Sequence, residues 1–218
     1  MVGGTTLAGP TETFARLWVL AARAGFRADV ADTAVAFVLS AAISVGAGVL
    51  LGCLLGLSRL LGRVVEPVLS SFYALPKVTL YPVVLLLFGL GFSAKVAFGV
   101  MHGLTPIVLV TMHAVLQVRP VHLRTARAMR LGVGQTIRAV VLPSILPEVL
   151  GGVRIGVPLA LLGVLIGEMF ASRRGLGSVA MRAMEANDGA TLLAVAVLAS
   201  AAALGVNAGL RRLVGRQP

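Results

Sequence analysis

Long uncharged runs alternate with short basic segments along this chain. Residues 33–58, 78–94, 96–118 and 189–210 carry no charged side chain, and residues 149–171 form a further apolar run with Arg154 and Glu168 near its two ends. A helix needs about 20 apolar residues to cross a bilayer. The pattern therefore predicts an all-α transmembrane protein with five spans. The 78–94 run is short and holds Pro82, so residues 72–77 are expected to extend it or to lie at the interface. Gly48, Gly52 and Gly56 fall four apart, with Gly46 close by, which gives the first span a flat face for close helix packing. Residues 1–32 read differently. Phe14, Leu17, Trp18, Leu20 and Ala21 recur at helical spacing, interrupted by Arg16, Arg23 and Arg27. This predicts an amphipathic helix lying in the interface, anchored by Trp18. The expected organisation is an N-terminal segment at 1–32, a transmembrane domain at 33–212 and a short cytoplasmic tail at 213–218.

Composition supports the membrane class. The 218 residues are 58% hydrophobic and 12% charged, and a soluble domain carries about twice that charge fraction. The net charge of +11 raises the question of nucleic acid. The basic residues are spread over helix ends and loops, however, and no polar segment is long enough to fold as a nucleic-acid module. No nucleic-acid partner is expected. Basic residues flanking apolar runs instead set orientation. Arg59, Arg63, Arg119, Arg124, Arg127, Arg130, Arg138, Arg211, Arg212 and Arg216 fall on one side. Arg16, Arg23, Arg27, Lys95, Arg173, Arg174 and Arg182 fall on the other. The first side is expected to be cytoplasmic, with the N-terminus outside. Cys53 is the single cysteine, so no intrachain disulfide can form.

No catalytic constellation is visible. There is no phosphate-cradling loop with lysine and Ser/Thr. His102, His113 and His122 are not paired with Cys or Glu at metal-ligand spacing, so no metal, cofactor or catalytic residue is expected. His102 and His113 fall about three turns apart on one helix face, towards other helices or a polar cavity. The polar loop at 119–147 stands out. Residues 123–131 can form one short helix and 135–141 a second, separated by Gly132 and Gly134. Pro143 and Pro147 would set the entry into the next span. Such an elbow could present a knob to a cytosolic partner, or it could be a basic loop on anionic headgroups. A carboxylate near the end of a span is costly unless paired or wetted. Glu168 is therefore either an outer-surface charge paired with Arg173 or Arg174, or a gate or binding group at a pathway mouth.

The same loop resembles the cytoplasmic signature of ABC-importer permeases: Glu-Ala-Ala, three residues, glycine, nine residues, Ile-x-Leu-Pro. Counting back from Leu142-Pro143 places Arg124-Thr125-Ala126 at the Glu-Ala-Ala positions, Arg130 at the glycine and Val140 at the isoleucine. The Leu-Pro end, one alanine and an aliphatic match; the glutamate and glycine do not. Phe72-Tyr73-Ala74-Leu75-Pro76-Lys77-Val78-Thr79-Leu80-Tyr81-Pro82, ending in Phe88-Gly89-Leu90-Gly91, is similar to the proline-punctuated second core helix of that family. Glu168 followed by Gly175-Leu176-Gly177 is similar to its outer loop. The order and spacing are closest to the nitrate/sulfonate/taurine group, whose members usually carry one further N-terminal span.

The resemblance implies the five-helix core of a type I ABC importer permease, multi-pass in the inner membrane. It implies a homodimer with the pathway on the two-fold axis, and a small anionic solute. Cytosolic ATPase subunits would bind and hydrolyse ATP, and an external or periplasmic solute-binding protein would deliver the solute. The chain itself would be no enzyme. The coupling loop would comprise Arg124, Thr125, Ala126, Arg127, Arg130, Leu131, Gly132, Leu142 and Pro143. Pathway candidates, chosen as polar or adaptable residues on the spans, are Tyr73, Lys77, Tyr81, Met101, His102 and Thr105, with Glu168. The rival readings are a non-transport membrane scaffold and a secondary transporter. The latter would want inverted repeats and ionisable residues at mid-depth.

Overall fold

The computed structural model describes residues 8–214; residues 1–7 and 215–218, including Arg216 and most of the expected tail, lie outside them. Helices joined by short turns make up the described residues, with no strand among them. In order they form α1 (Pro10–Ala22), α2 (Ala24–Gly56), α3 (Arg59–Ala74), a 3-10 turn (Lys77–Leu80) and α4 (Tyr81–Phe88). Then come α5 (Phe92–Leu116), α6 (Pro120–Ala128), α7 (Val133–Thr136), a π-helical turn (Ile137–Val141), α8 (Leu142–Ala171), α9 (Leu176–Glu185) and α10 (Gly189–Val214). Four helical runs are long and apolar enough to cross a membrane: α2, α5, residues 134–170 and α10.

The fifth expected span differs. Residues 59–74 and 77–88 meet at a bend of 94°. Leu75 precedes Pro76 and is extended, with ψ 138, because the proline ring excludes the helical region for the residue before it. Pro82 then opens α4 near its first turn, and Gly89 (φ 71) and Gly91 (φ 113) close it. The run at 78–94 thus holds a short turn and helix, and in place of a fifth straight span the chain has two helical pieces bent against each other.

Small residues hold the core together. Ala36, Ser40, Ser44, Gly48, Gly52 and Gly56, spaced every four along α2, are all buried. Opposite them on α5 lie Gly99 and Gly103, then Ile107, Thr111 and Val115. Gly156, Gly163 and Gly167 bring α8 onto the other side of α5. Between apolar helices in lipid no hydrophobic drive remains, so close backbone approach supplies the packing. The Ser40 hydroxyl donates within this seam, lying 2.7 Å from Ala36 O and 3.1 Å from Val96 O. Gly46 lies off the seam and faces open space.

Other boundaries move for identifiable reasons. α2 begins at Ala24, not at residue 33, because Asp29 and Asp32 find partners at that end of the bundle. α5 takes in Lys95 for the same reason. The charged stretch at 172–188, between two apolar runs, contains α9, whose Leu176 and Val179 pack with Leu20, Phe26, Ala194 and Val195. Arg154 is half-buried, with its Nε buried and without a hydrogen-bond partner among the described residues. α1 packs on α10, with Trp18 81% exposed.

Candidate functional site

The elbow is built by local chain chemistry. Pro120 starts α6, where its missing N–H costs nothing. Its end is a Schellman closure: Leu131 N–H donates to Ala126 O at 3.0 Å and Arg130 N–H to Arg127 O at 2.9 Å. The residue that turns left-handed is Arg130, with φ 54. This is the position that aligns with the family's glycine, so the turn sits where the gap-free alignment puts it, with Gly132 left over. Gly132 N–H donates to Gln135 Oε1 at 3.0 Å and leads into α7. Pro143 then lacks a donor, and the register slips by one: Leu142 N–H reaches Ile137 O in a π turn. The expected helices at 123–131 and 135–141 are both present, shifted by these prolines.

The left-handed turn yields a direct test. A non-glycine residue there costs about 1–2 kcal/mol, so Arg130→Gly should raise the melting temperature of the solubilised protein and slow proteolysis at 128–133. A lower melting temperature would mean that Arg130 is held by contacts outweighing its strain.

Between the arms of the elbow lies a groove of about 410 Å³, lined by His122, Thr125, Ala126, Met129, Leu131, Ala139, Val140, Pro143 and Ser144. Ala126 is buried beneath it, which explains why the signature wants a small residue there. Arg124, Arg127, Arg130 and Arg138 are exposed around it, as are the apolar Val121, Met129, Ile137 and Leu142. Apolar and basic side chains are thus presented side by side around the groove.

At the opposite end a polar clamp closes the bundle. Glu168 of α8 is 0% exposed. Its carboxylate accepts from Lys95 at 3.1 Å, from the Thr33 hydroxyl at 2.9 Å and from Gly177 N–H at 2.9 Å. Lys95 also pairs with Asp32. The expected partners of Glu168, Arg173 and Arg174, are replaced by this lysine from α5. Gly175 N–H donates to Asp29 at 2.9 Å and Leu176 N–H to Thr33 Oγ1 at 2.8 Å. Three consecutive N–H groups at the start of α9 are thus capped from α2 and α8, an arrangement the helix dipole favours for the carboxylates. The two glycines of Gly-Leu-Gly follow from this. Gly175 takes φ 110, and a Cβ on either would run into Glu168. Asp29, Asp32, Thr33 and Lys95 were not singled out from the sequence, although three of them are charges set against apolar runs.

Close by, Asp188 caps α10, accepting from Thr191 N–H at 2.9 Å, and pairs with Arg16 of α1 at 2.8 Å. The Thr191 hydrogen bonds, helped by Arg16, hold its carboxyl below the usual carboxylate range. Six of the eight acidic residues, Glu12, Asp29, Asp32, Glu168, Glu185 and Asp188, sit at this end. They offset its basic residues, while the elbow end keeps only Glu66 and Glu148 against its arginines.

The pathway candidates separate into groups. Tyr73 and Lys77 touch: the ammonium donates to Tyr73 O at 3.2 Å and lies 5.0 Å from its ring. Tyr81 and His102 flank Phe98, at ring distances of 5.5 and 5.6 Å. Met101 and Thr105 instead line an apolar groove of about 790 Å³ between α2, α4 and α5. Glu168 stands apart in the clamp. His113 pairs with Glu66 of α3 at 2.9 Å, half exposed.

The description "binding-protein-dependent transport system inner membrane component" matches residues 44–216 of this chain. The taurine transport system permease protein TauC of Escherichia coli is 29% identical over 170 residues, covering 76% of this chain and 62% of TauC. The formylaminopyrimidine transport permease ThiX of Halalkalibacterium halodurans is 32% identical, covering 68% of the chain and 59% of ThiX. The nitrate import permease NrtB of Synechococcus elongatus is 28% identical, covering 60% and 47%. The matched stretch is thus less than two thirds of each relative's length.

Proposed function

The chain belongs to the binding-protein-dependent transport system inner membrane component family, and from that premise we propose that it is the permease subunit of an ATP-driven importer for a small anionic solute. The observation that carries the reading is the elbow at 119–143. It is a hydrogen-bonded, basic knob at one end of the bundle, with exposed apolar side chains around a groove. Cytosolic ATPase subunits would dock there. An external solute-binding protein would deliver solute at the opposite end, where α9 and the clamp lie, and a second copy of the permease would complete the conduit within the bilayer. ATP would be bound and hydrolysed by the partner alone. Docking drives transport only if the elbow contacts the open and closed ATPase states differently.

The test uses Leu131→Glu with Gly132→Glu. A Cβ at Gly132 meets nothing nearer than 3.8 Å, so the acidic pair alters the surface without straining the turn. Membrane insertion should be unchanged, while solute uptake and permease-dependent ATP hydrolysis in reconstituted complexes fall to background. Normal coupling in this variant removes the elbow from the mechanism. A permease that copurifies with no nucleotide-binding subunit would favour the scaffold reading.

A further inference from the structure

Two lysines are deeply buried, in opposite surroundings. Lys95 is 1% exposed and touches two carboxylates. Lys77 is 8% exposed and touches none among the described residues. Its ammonium donates to Tyr73 O and sits over the rings of Tyr73 and Phe72, at 5.0 and 5.9 Å. An ammonium carries three donors, so a carbonyl and two ring faces leave its charge unneutralised and donors to spare. One helical turn on, the Tyr81 hydroxyl is buried with no hydrogen-bond partner. Phe98 and Phe170 fix its ring, at 5.5 and 5.2 Å. Phe98 also carries the His102 ring, at 5.6 Å. His102 donates through Nδ1 to Phe98 O at 2.9 Å. A carbonyl only accepts, so Nδ1 carries the proton and Nε2 is left over.

A buried cation without a counter-charge is costly, and so is a buried hydroxyl left unpaired. Intramembrane ionisable residues of this kind mark function by default. Both deficits here are of acceptors, four residues apart along the chain, and a negatively charged acceptor is what each lacks. We propose that Lys77 and Tyr81, beside His102, form an anion subsite inside the bundle, occupied by the acidic head of the solute in transit: a sulfonate, nitrate or carboxylate. The proposal rests on the permease reading and adds where the solute's charge is recognised. His102 lies ten residues into the 25-residue α5, about 15 Å from its outer end. That depth is beyond the headgroup phosphates and favours a solute over a lipid. Met101 and Thr105, facing the apolar groove, take no part in charge recognition.

The test is thermal unfolding of the permease–ATPase complex in detergent with nitrate or methanesulfonate, against neutral dimethyl sulfone, which matches methanesulfonate in shape. The anions should raise the melting temperature of the wild type and the sulfone should not. Lys77→Met should weaken the anion's apparent affinity by about tenfold or more, as loss of a charge-assisted contact does. Tyr81→Phe keeps the ring and should weaken it severalfold. Without anion, Lys77→Met should melt at or above the wild type, because an unpaired charge has gone. A Lys77→Met protein that responds like the wild type, or that melts lower without anion, overturns the subsite. So does a shift that appears only when phosphatidylglycerol is added. ATP hydrolysis measured on the same samples separates the two readings. Coupled hydrolysis without any anion response sinks the subsite alone, whereas uncoupled hydrolysis in the wild type sinks the permease reading.

Discussion

Lys95→Met should destabilise the helix bundle by about 3–5 kcal/mol, the range for removing one partner of a buried ion pair. The reason lies in what remains. Glu168 would keep its carboxylate at 0% exposure with only the Thr33 hydroxyl and Gly177 N–H as donors. Two neutral hydrogen bonds do not replace a buried cation. The structure can answer by protonating Glu168, which weakens the capping of α9, or by opening the clamp end to water, which separates α8 from α5. The double variant Lys95→Met with Glu168→Gln removes both charges. It should lose less than the sum of the two single variants, because residues sharing one network couple strongly. Denaturant or thermal unfolding of the purified protein measures all three. Strict additivity, or a Lys95→Met protein as stable as the wild type, would show that the clamp contributes nothing to holding α8, α5 and α9 together.

The clamp also shows where sequence reading stops. The apolar runs located α2, α5, α8 and α10 because lipid forces every backbone group into helical hydrogen bonds, and apolar length alone reports that. The end points were less legible. An apolar-run criterion stops at the first charge, yet Asp29, Asp32 and Lys95 stay on their helices because each charge is answered from another element. Which lysine meets which carboxylate is a property of how α2, α5 and α8 pack, and no spacing within one helix encodes it. That is why Glu168 was matched with its sequence neighbours Arg173 and Arg174 rather than with Lys95. α9 is legible in the spacing of Leu176, Val179 and Ala183, which keep helical period and are all buried, although Arg173, Arg174 and Arg182 surround them. In the elbow the prolines and the Leu-Pro end carried the fold, while the missing glycine misled only in appearance. Arg130 takes the left-handed turn itself.

A large structural effect is also expected from the smallest substitution on the seam. Gly52→Ala places a methyl group 2.5 Å from Thr111 Cβ and 2.8 Å from Val108 O. The second of these is backbone, so no rotamer change relieves it, and α2 and α5 must move apart. Overpacking of this kind costs about 1–3 kcal/mol or more. Here the displacement also pulls Gly48 from Ile107 and Gly56 from Val115, which share the same face. Gly46→Ala is the matched control on the same helix. Its Cβ meets nothing within 4 Å, and replacing glycine by alanine in a helix interior stabilises by up to about 1 kcal/mol. The two substitutions are chemically identical and six residues apart, yet should shift the melting temperature in opposite directions, with Gly52→Ala also lowering the yield of folded protein in membranes. Equal behaviour would mean that α2 does not meet α5 along Gly48, Gly52 and Gly56. The alignment of the elbow end of the bundle with the clamp depends on that contact, because α5 packs against both α2 and α8 along its length.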